Sequence, residues 1–384
     1  MSLLLLVGAD DRSGAAETAG ACADAGLKSI VTVESFAPRA DVDVVAEAEV
    51  EVVDLHTRHL SPPEAAEHVV ALVDRLPDRY AHKIDSTLRG NWADEVVARQ
   101  RVTGERVLVV AAAPAVGRVC RGGVVHEHGR PVTSGAASLD LRRPPASARP
   151  RELLAQAGAG PVDDLRSLAA LDEWLMGTGP AAVVDAVTDE DLEAIARRWI
   201  EGGERGFMAG TGAAIGAVAR AMIAPRPSTA RPRLAWPALV VCGSRHPTAA
   251  AQLDALVAQG AKRIAPDMID TVADTIPESH TVVLAPRPSA THLAATPDEV
   301  AHALGAAARR LIERSPMVAT VMIVGGDTAA AVIGDRTLVV GGTLAPGVAW
   351  GHLARAAAPL VVVKPGGFGH PGTLVDLLRG RLPE

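Results

Sequence analysis

Aromatic residues are nearly absent from this chain: one tyrosine, three phenylalanines and five tryptophans among 384 residues, 2% of the whole. Hydrophobic residues still make up 48%, so the core must be built from valine, leucine, isoleucine and alanine. Short unbroken aliphatic runs of that kind suit parallel strands buried on both faces beneath helices. Cysteine is equally scarce. Cys22, Cys120 and Cys242 stand far apart and form neither a CxxC pair nor a disulfide framework, which points to a reducing cytoplasm. There is no basic tract and the net charge is −7, which speaks against nucleic acid as the partner but not against a phosphorylated ligand. No apolar stretch approaches the ~18 residues that cross a bilayer, so no membrane partner is expected. The run Leu3–Val7 lacks a basic flank and reads as a first strand rather than a signal peptide. The motif GxxxxGK[ST] is missing too, which excludes a P-loop kinase.

A chain of 384 residues exceeds one ordinary core, and two domains are expected. The clearest break is Pro225-Arg226-Pro227-Ser228-Thr229-Ala230-Arg231-Pro232-Arg233, rich in proline and arginine and poor in core residues. It divides the chain into residues 1–230 and 231–384. In the first part, strands are predicted near 3–9, 28–33, 50–55, 80–84, 106–112, 181–184 and 207–209, with a hairpin over 124–132. The segment 139–150 reads as an exposed, mobile loop. In the second, strands are predicted at 239–242, 281–285, 320–324, 337–340 and 360–363. No internal repeat is present.

Polar residues and glycines follow directly after several of these strands, where the ligand crevice of a doubly wound sheet lies. The first such loop is Gly8-Ala9-Asp10-Asp11-Arg12-Ser13-Gly14-Ala15. Its two carboxylates could take hydroxyls, activate one, or hold a cation; equally, Asp10 or Ser13 could simply cap the next helix. The second is His82-Lys83-Ile84-Asp85-Ser86-Thr87-Leu88-Arg89-Gly90-Asn91. Lys83 and Arg89 could neutralise a carboxylate, and Asp85, Ser86, Thr87 and Asn91 could bind hydroxyls, which suits a small polyhydroxy acid. The plainer alternative is an Asp-Ser cap with surface cations. The third, Val324-Gly325-Gly326-Asp327-Thr328, offers free backbone N–H groups to an anion, with Asp327 placed to hold Mg2+; a tight capped turn is the alternative. The fourth, Lys364-Pro365-Gly366-Gly367-Phe368-Gly369, invites close approach to a nucleotide, with Lys364 offsetting phosphate charge, or else it merely crosses to the last helix. Gly243-Ser244-Arg245-His246 is a weaker site of the same kind. Gly210-Thr211-Gly212-Ala213-Ala214-Ile215-Gly216 misses GxGxxG by one residue, and His126-Glu127-His128 has no evident third ligand and fits a surface hairpin.

Taken together, these loops resemble the four-carbon acid sugar kinase family, over nearly the whole chain and in order. The most specific parts are Lys83 to Asn91, Gly325-Gly326-Asp327-Thr328 and Lys364 to Gly369, joined by Ala9 to Ala15 and Gly117-Arg118. The resemblance implies an N-terminal domain (1–230) that binds the sugar acid and a C-terminal domain (231–384) that binds ATP. It implies substrate roles for Asp10, Asp11, Asp85, Arg89 and Asn91, and nucleotide contacts at Ser244, Gly325, Gly326, Asp327, Thr328 and Gly366. The sequence departs from the family at Arg12, Ser13 and His246. Arg12 would add a cation beside the pocket and favour a more acidic or phosphorylated substrate.

The expected fold is α/β in two lobes, each a largely parallel sheet flanked by helices, with the active site in the cleft between them. The expected function is ATP-dependent phosphorylation of a terminal hydroxyl of a threonate-, erythronate- or 3-oxo-tetronate-like acid. Asp10, Asp11, Lys83, Asp85, Ser86, Arg89 and Asn91 form the substrate set, with Asp11 or Asp85 as the catalytic base. Ser244, Gly325, Gly326, Asp327, Thr328, Gly366 and Gly367 form the nucleotide set, with Asp327 on Mg2+. Phosphoryl transfer needs an aligned hydroxyl, a metal-bound triphosphate and exclusion of water, which two closing domains can supply. The rivals are a non-catalytic sugar-acid or nucleotide sensor and an NAD-dependent oxidoreductase using Gly210–Gly216. A homodimer stays open.

Overall fold

The five-residue strands Leu5–Ala9, Val50–Asp54 and Ala238–Cys242, rich in aliphatic residues, are buried at every position, as strands covered on both faces must be. The computed structural model describes residues 3–34, 41–75, 77–140, 142–203, 205–271, 276, 280–287, 296–356 and 359–381. They fall into two units, Met1–Ser228 and Thr229–Glu384.

In the first unit the strands are β1 (Leu5–Ala9), β2 (Ser29–Val33), β3 (Val50–Asp54), β4 (Tyr80–Lys83), β5 (Arg106–Val110), β6 (Arg118–Arg121), β7 (Val124–Glu127), β8 (Arg130–Pro131), β9 (Val162–Leu165), β10 (Ala181–Val184) and β11 (Gly206–Gly210). The helices are α1 (Arg12–Asp24), α2 (Val42–Ala46), α3 (Pro62–Val70), α4 (Trp92–Thr103), α5 (Pro150–Gln156), α6 (Leu168–Met176), α7 (Asp189–Glu201) and α8 (Gly212–Met222). The main sheet runs β2-β3-β1-β4-β11-β5-β10-β9, parallel throughout. A separate antiparallel sheet, β6-β7-β8, contains the expected hairpin and extends it by one strand.

The second unit has β12 (Ala238–Cys242), β13 (Lys262–Ile264), β14 (Thr281–Leu284), β15 (Thr320–Val324), β16 (Leu338–Ala345), β17 (Val348–Leu353) and β18 (Leu360–Lys364). Its helices are α9 (Pro247–Ala258), α10 (Pro297–Arg314), α11 (Gly326–Ile333) and α12 (Thr373–Leu378). The strand order is β13-β14-β12-β15-β18-β17-β16, parallel as far as β18 and closed by the antiparallel hairpin β16–β17. Sequence reading missed β17 and β13. Gly341, Gly342 and Gly351 interrupt the hairpin's aliphatic pattern, and β13 is three residues long with two of them exposed.

One local expectation is corrected. The 139–150 segment is not a simple exposed loop. Arg142 and Arg143 donate backbone N–H groups to Asp140 at 2.9 and 3.1 Å, Arg143 reaches the carbonyl of Leu60, and Ala148 and Pro150 are buried. Residue 141 lies outside the described residues. The glycines of 210–216, already read from the sequence as an imperfect GxGxxG, lie in close helix packing. Thr211 caps α8 through the N–H of Ala214, and a Cβ on Gly216 would stand 2.7 Å from the Cβ of Ala21 in α1. Gly216→Val should therefore overpack the α1–α8 contact and lower the unfolding free energy by about 1–3 kcal/mol in urea titrations. An unmoved midpoint would show that the two helices do not need this close approach.

Candidate functional site

Three strand ends of the first unit converge. β1 lies between β3 and β4, and Ala9 is level with both Asp54 and Lys83. The loops that follow these strands are therefore neighbours, and each becomes polar where its strand ends. Asp11 caps α1, accepting the Gly14 N–H at 2.9 Å and the Ser13 hydroxyl at 2.6 Å. A Cβ on Gly14 would come within 2.6 Å of Asp11 Oδ1 and 3.1 Å of Lys83 Nζ, so the glycine lets these two charges approach one another.

Arg58, delivered by the loop after β3, is the hub. Its Nε and Nη2 donate to Asp10 at 2.7 and 2.8 Å, and Nη2 stands 3.0 Å from Asp11 and 3.4 Å from Asp85. Asp85 also accepts Arg89 through Nη2 (2.9 Å) and Nε (3.2 Å) and the N–H of Thr87 (2.9 Å). The remaining arm of Arg89 reaches Asp140 at 2.9 Å. Arg118, carried in by β6, donates Nη1 to the Ser86 hydroxyl at 3.0 Å while Glu127 holds its other side at 2.8 and 3.2 Å. Lys83 Nζ donates to the Ile84 carbonyl at 2.9 Å and lies 4.0 Å from Glu17. Asn91 spends its amide on the carbonyls of Thr57 and Leu60, at 2.8 and 2.9 Å, and so ties two of the loops together.

The sequence-predicted Asp10, Asp11, Lys83, Asp85, Ser86, Arg89 and Asn91 thus lie in one cluster, nearly all of it buried. Sequence reading passed over Arg58, Asp140 and Glu17, and noted Arg118 beside Gly117 without giving it a place in the site. Arg58 had a usable signal, its place four residues beyond a strand end. Asp140 and Arg118 come from segments brought in by tertiary folding. Arg12 does not add a cation to the cluster: it is buried, and its Nε donates to Asp54 at 2.8 Å, where the opposite charge offsets it.

The carboxylates are tuned apart. Burial pushes Asp10 up to about 6, helped by the neighbouring Asp11 charge and opposed by Arg58. Burial also raises Asp11 and Asp85, but it is outweighed: Arg58 and Lys83 bring Asp11 below the usual range, and Arg89 with Arg58 holds Asp85 far below it.

In the second unit, Cys242, Val324 and Lys364 are level across β12, β15 and β18. The glycine loops beyond them pack on one another. Gly325 has φ +106°, a conformation L side chains rarely adopt, and opens α11. Thr328 Oγ1 accepts the Gly243 N–H at 3.1 Å. A Cβ on Gly366 would fall 2.2 Å from Ser244 Oγ, and one on Gly367 would meet the His246 ring at 3.0 Å. Ser244, Gly325, Gly326, Thr328, Gly366 and Gly367 therefore share one strand-end surface, with bare backbone at the start of a helix, the arrangement that suits an anion. His246 caps α9, accepting the Thr248 N–H at 3.2 Å. Asp327 is exposed in the first turn of α11. Among the described residues, no group of three His, Cys, Asp or Glu side chains could hold a metal by itself.

An α/β chain with a buried carboxylate–guanidinium cluster in one unit and a glycine-loop surface at a helix start in the other is matched by two family models. One, described as a sugar-binding N-terminal domain, covers residues 5–218; the other, a nucleotide-binding C-terminal domain, covers residues 239–374. The chain is 32% identical to a D-threonate kinase of Bordetella bronchiseptica over 96% of its length and 95% of the relative's. It is 26% identical to a D-threonate kinase of Salmonella typhimurium over 97% of each. A solved Salmonella typhimurium LT2 protein that carries a tRNA-synthase name shares the fold, with a TM-score of 0.77 over 98% of this chain and 99% of that one, at 18% identity. A Bordetella bronchiseptica domain of unknown function, crystallised as a domain-swapped dimer with bound citrate, covers all of both chains at 28% identity and a TM-score of 0.52. The chain belongs to the four-carbon acid sugar kinase family.

Asp10 yields a pH prediction. Its carboxylate is charged and paired to Arg58 above about 6 and takes a proton as pH falls through that value, weakening the pair. Ligand binding to the first unit should therefore weaken on the acid side with a midpoint near 6, and Asp10→Asn should remove that limb. Titration of binding against pH by calorimetry checks this, and an identical acid limb in both proteins would exclude Asp10 as its source.

Proposed function

We propose that this protein is an ATP-dependent kinase that phosphorylates the terminal hydroxyl of a four-carbon sugar acid of the threonate or erythronate type. One observation carries the reading: a single chain pairs a buried cluster of carboxylates and guanidinium groups in its sugar-binding unit with a three-loop glycine cradle in its nucleotide-binding unit. The cluster suits a small acid with several hydroxyls. The acids accept hydrogen bonds from hydroxyls, while Lys83, Arg58 and Arg89 supply positive charge for a carboxylate. Ser86 and Thr87 add polar contacts, and Asn91, with its N–H groups on Thr57 and Leu60, can add only its side-chain oxygen as an acceptor. The Bordetella relative's bound citrate is in keeping with a carboxylate ligand, and its dimeric form with a homodimer here.

The two candidate bases differ in surroundings. Both oxygens of Asp85 are engaged by Arg89, with Thr87 adding to one, which suits a positioning role. Asp11 is held more lightly, by the Gly14 N–H, the Ser13 hydroxyl and a single arm of Arg58, and it faces Lys83 across Gly14; on this reading Asp11 accepts the proton of the attacking hydroxyl while Arg58 and the helix start hold it in place. Little covalent chemistry is asked of these residues, because phosphoryl transfer depends mainly on alignment and electrostatics. On the nucleotide side, the backbone N–H of Gly326 at the start of α11 and the surfaces of Gly366 and Gly367 receive phosphates, with Ser244 and Thr328 at the rim and the Gly325 N–H already held by the Lys364 carbonyl. Asp327 alone cannot make a metal site, but one carboxylate is enough for a Mg2+ that comes with phosphates and water; when bound, that ion offsets charge on the transferred group.

The test is ATP consumption and product formation over a panel of threonate, erythronate, 3-oxo-tetronate and longer analogues. Phosphorylation of at least one four-carbon acid is expected. Nucleotide binding without turnover of any acid would favour a sensor instead. With the active acid in hand, Asp11→Asn should lower kcat by about two to four orders of magnitude with KM little changed. Gly366→Ala, whose Cβ is driven into Ser244, should raise the KM for ATP and leave that for the acid near normal. Equal effects of Gly366→Ala on both KM values would argue against separate sites for the two ligands.

A further inference from the structure

The second unit buries an ammonium beside which no acid stands among the described residues. Lys364 ends β18 and is 1% exposed, and its Nζ donates to the carbonyls of Pro365 at 2.8 Å and Gly366 at 3.5 Å. Neither acceptor is charged. Among the described residues the titratable group that bears on it is Cys242 at the end of β12. Burial holds that thiol up at about 11, so it is no counter-ion at neutral pH. The first unit treats its buried cations differently: Arg12, Arg58 and Arg118 each face a carboxylate at 2.7 to 2.8 Å. A buried charge with no opposite charge is costly, and a lysine that served only to fill space could give way to an apolar side chain of similar size without loss.

The position of Lys364 suggests where the missing anion comes from. Its carbonyl accepts the Gly325 N–H at 2.9 Å, so the residue adjoins the glycine pair that opens α11. Its ammonium reaches into the Pro365–Gly366 turn, and Gly366 lies against Ser244. We propose that Lys364 is the counter-charge for the nucleotide's phosphates, that the ligand supplies the anion the fold leaves out, and that binding draws a proton onto this side chain. The inference rests on the reading of the second unit as a nucleotide site.

The sign of the proton change follows from the environment. Burial lowers the amine of Lys364 to about 8, opposed weakly by Cys242. A bound phosphate favours the charged form and raises that value again. Between the free and bound values the amine is partly neutral before binding and charged after it, so a proton enters from solvent; well below 8 it is charged in both states and none is taken up.

The experiment is calorimetric titration of the full chain with ATP and Mg2+ at about pH 8.5, in Tris and in a buffer of lower ionisation enthalpy. The wild-type binding enthalpy should differ between buffers by the uptake of a fraction of a proton. Lys364→Met should lose that difference and bind ATP roughly tenfold or more weakly. Its melting temperature should be unchanged or higher, because a buried uncompensated charge has gone. Lys364→Arg should retain part of the affinity but show no proton uptake. A lower melting temperature in Lys364→Met, with or without weaker binding, would make the lysine a structural tie of its loop and overturn the proposal. So would unaltered ATP affinity in Lys364→Met, or a wild-type enthalpy independent of buffer. If the wild type bound no ATP, the nucleotide reading itself would fall; if it bound ATP and only the Lys364 effects were missing, that reading would stand without this inference.

Discussion

The first unit depends on one guanidinium. Asp10, Asp11 and Asp85 stand at the ends of two adjacent strands, all buried, where their mutual repulsion and desolvation would otherwise force protonation or open the loops. Arg58 bridges all three. Removing it would leave three buried carboxylates short of a partner, a loss of the kind that costs about 3–5 kcal/mol even for one pair. The rest of the cluster is arranged around this constraint. Arg89 shares Asp85 and reaches out to Asp140, Glu127 braces Arg118 against Ser86, and Asn91 fastens the loop that carries Arg58.

Such a network is preorganised, with its charges held before any ligand arrives. It also divides labour among chemically identical groups. Asp10, the most deeply buried of the three, is pushed up to about 6, whereas Asp85, gripped by two guanidinium groups, is held well below the usual carboxylate range. The distinction arises from position alone. The second unit follows the opposite plan. It has few charges at its strand ends and relies on bare backbone, with close packing between Gly243, Ser244, Thr328 and Gly366 standing in for ion pairs. Its buried Lys364 is the exception, held by the neutral carbonyls of Pro365 and Gly366.

By itself the sequence determined the α/β class, because aliphatic runs with almost no aromatics leave little other than buried parallel strands. It also marked the strand-end loops, since Asp10, Asp11, Lys83, Asp85, Gly325 and Gly366 follow their strands so directly that local order alone shows where they must stand. It could not assign partners. Arg12 and Arg58 look alike in one dimension, yet one is spent on Asp54 beside its own strand and the other joins three carboxylates. Nor could it show that Arg118 and Asp140, from an antiparallel sheet and a proline-rich segment, reach the same cluster. Which charges meet, and therefore which carboxylates are tuned up or down, depends on distances across the sheet, between residues dozens of positions apart. Those distances are set by strand order and loop packing, which only the tertiary structure decided.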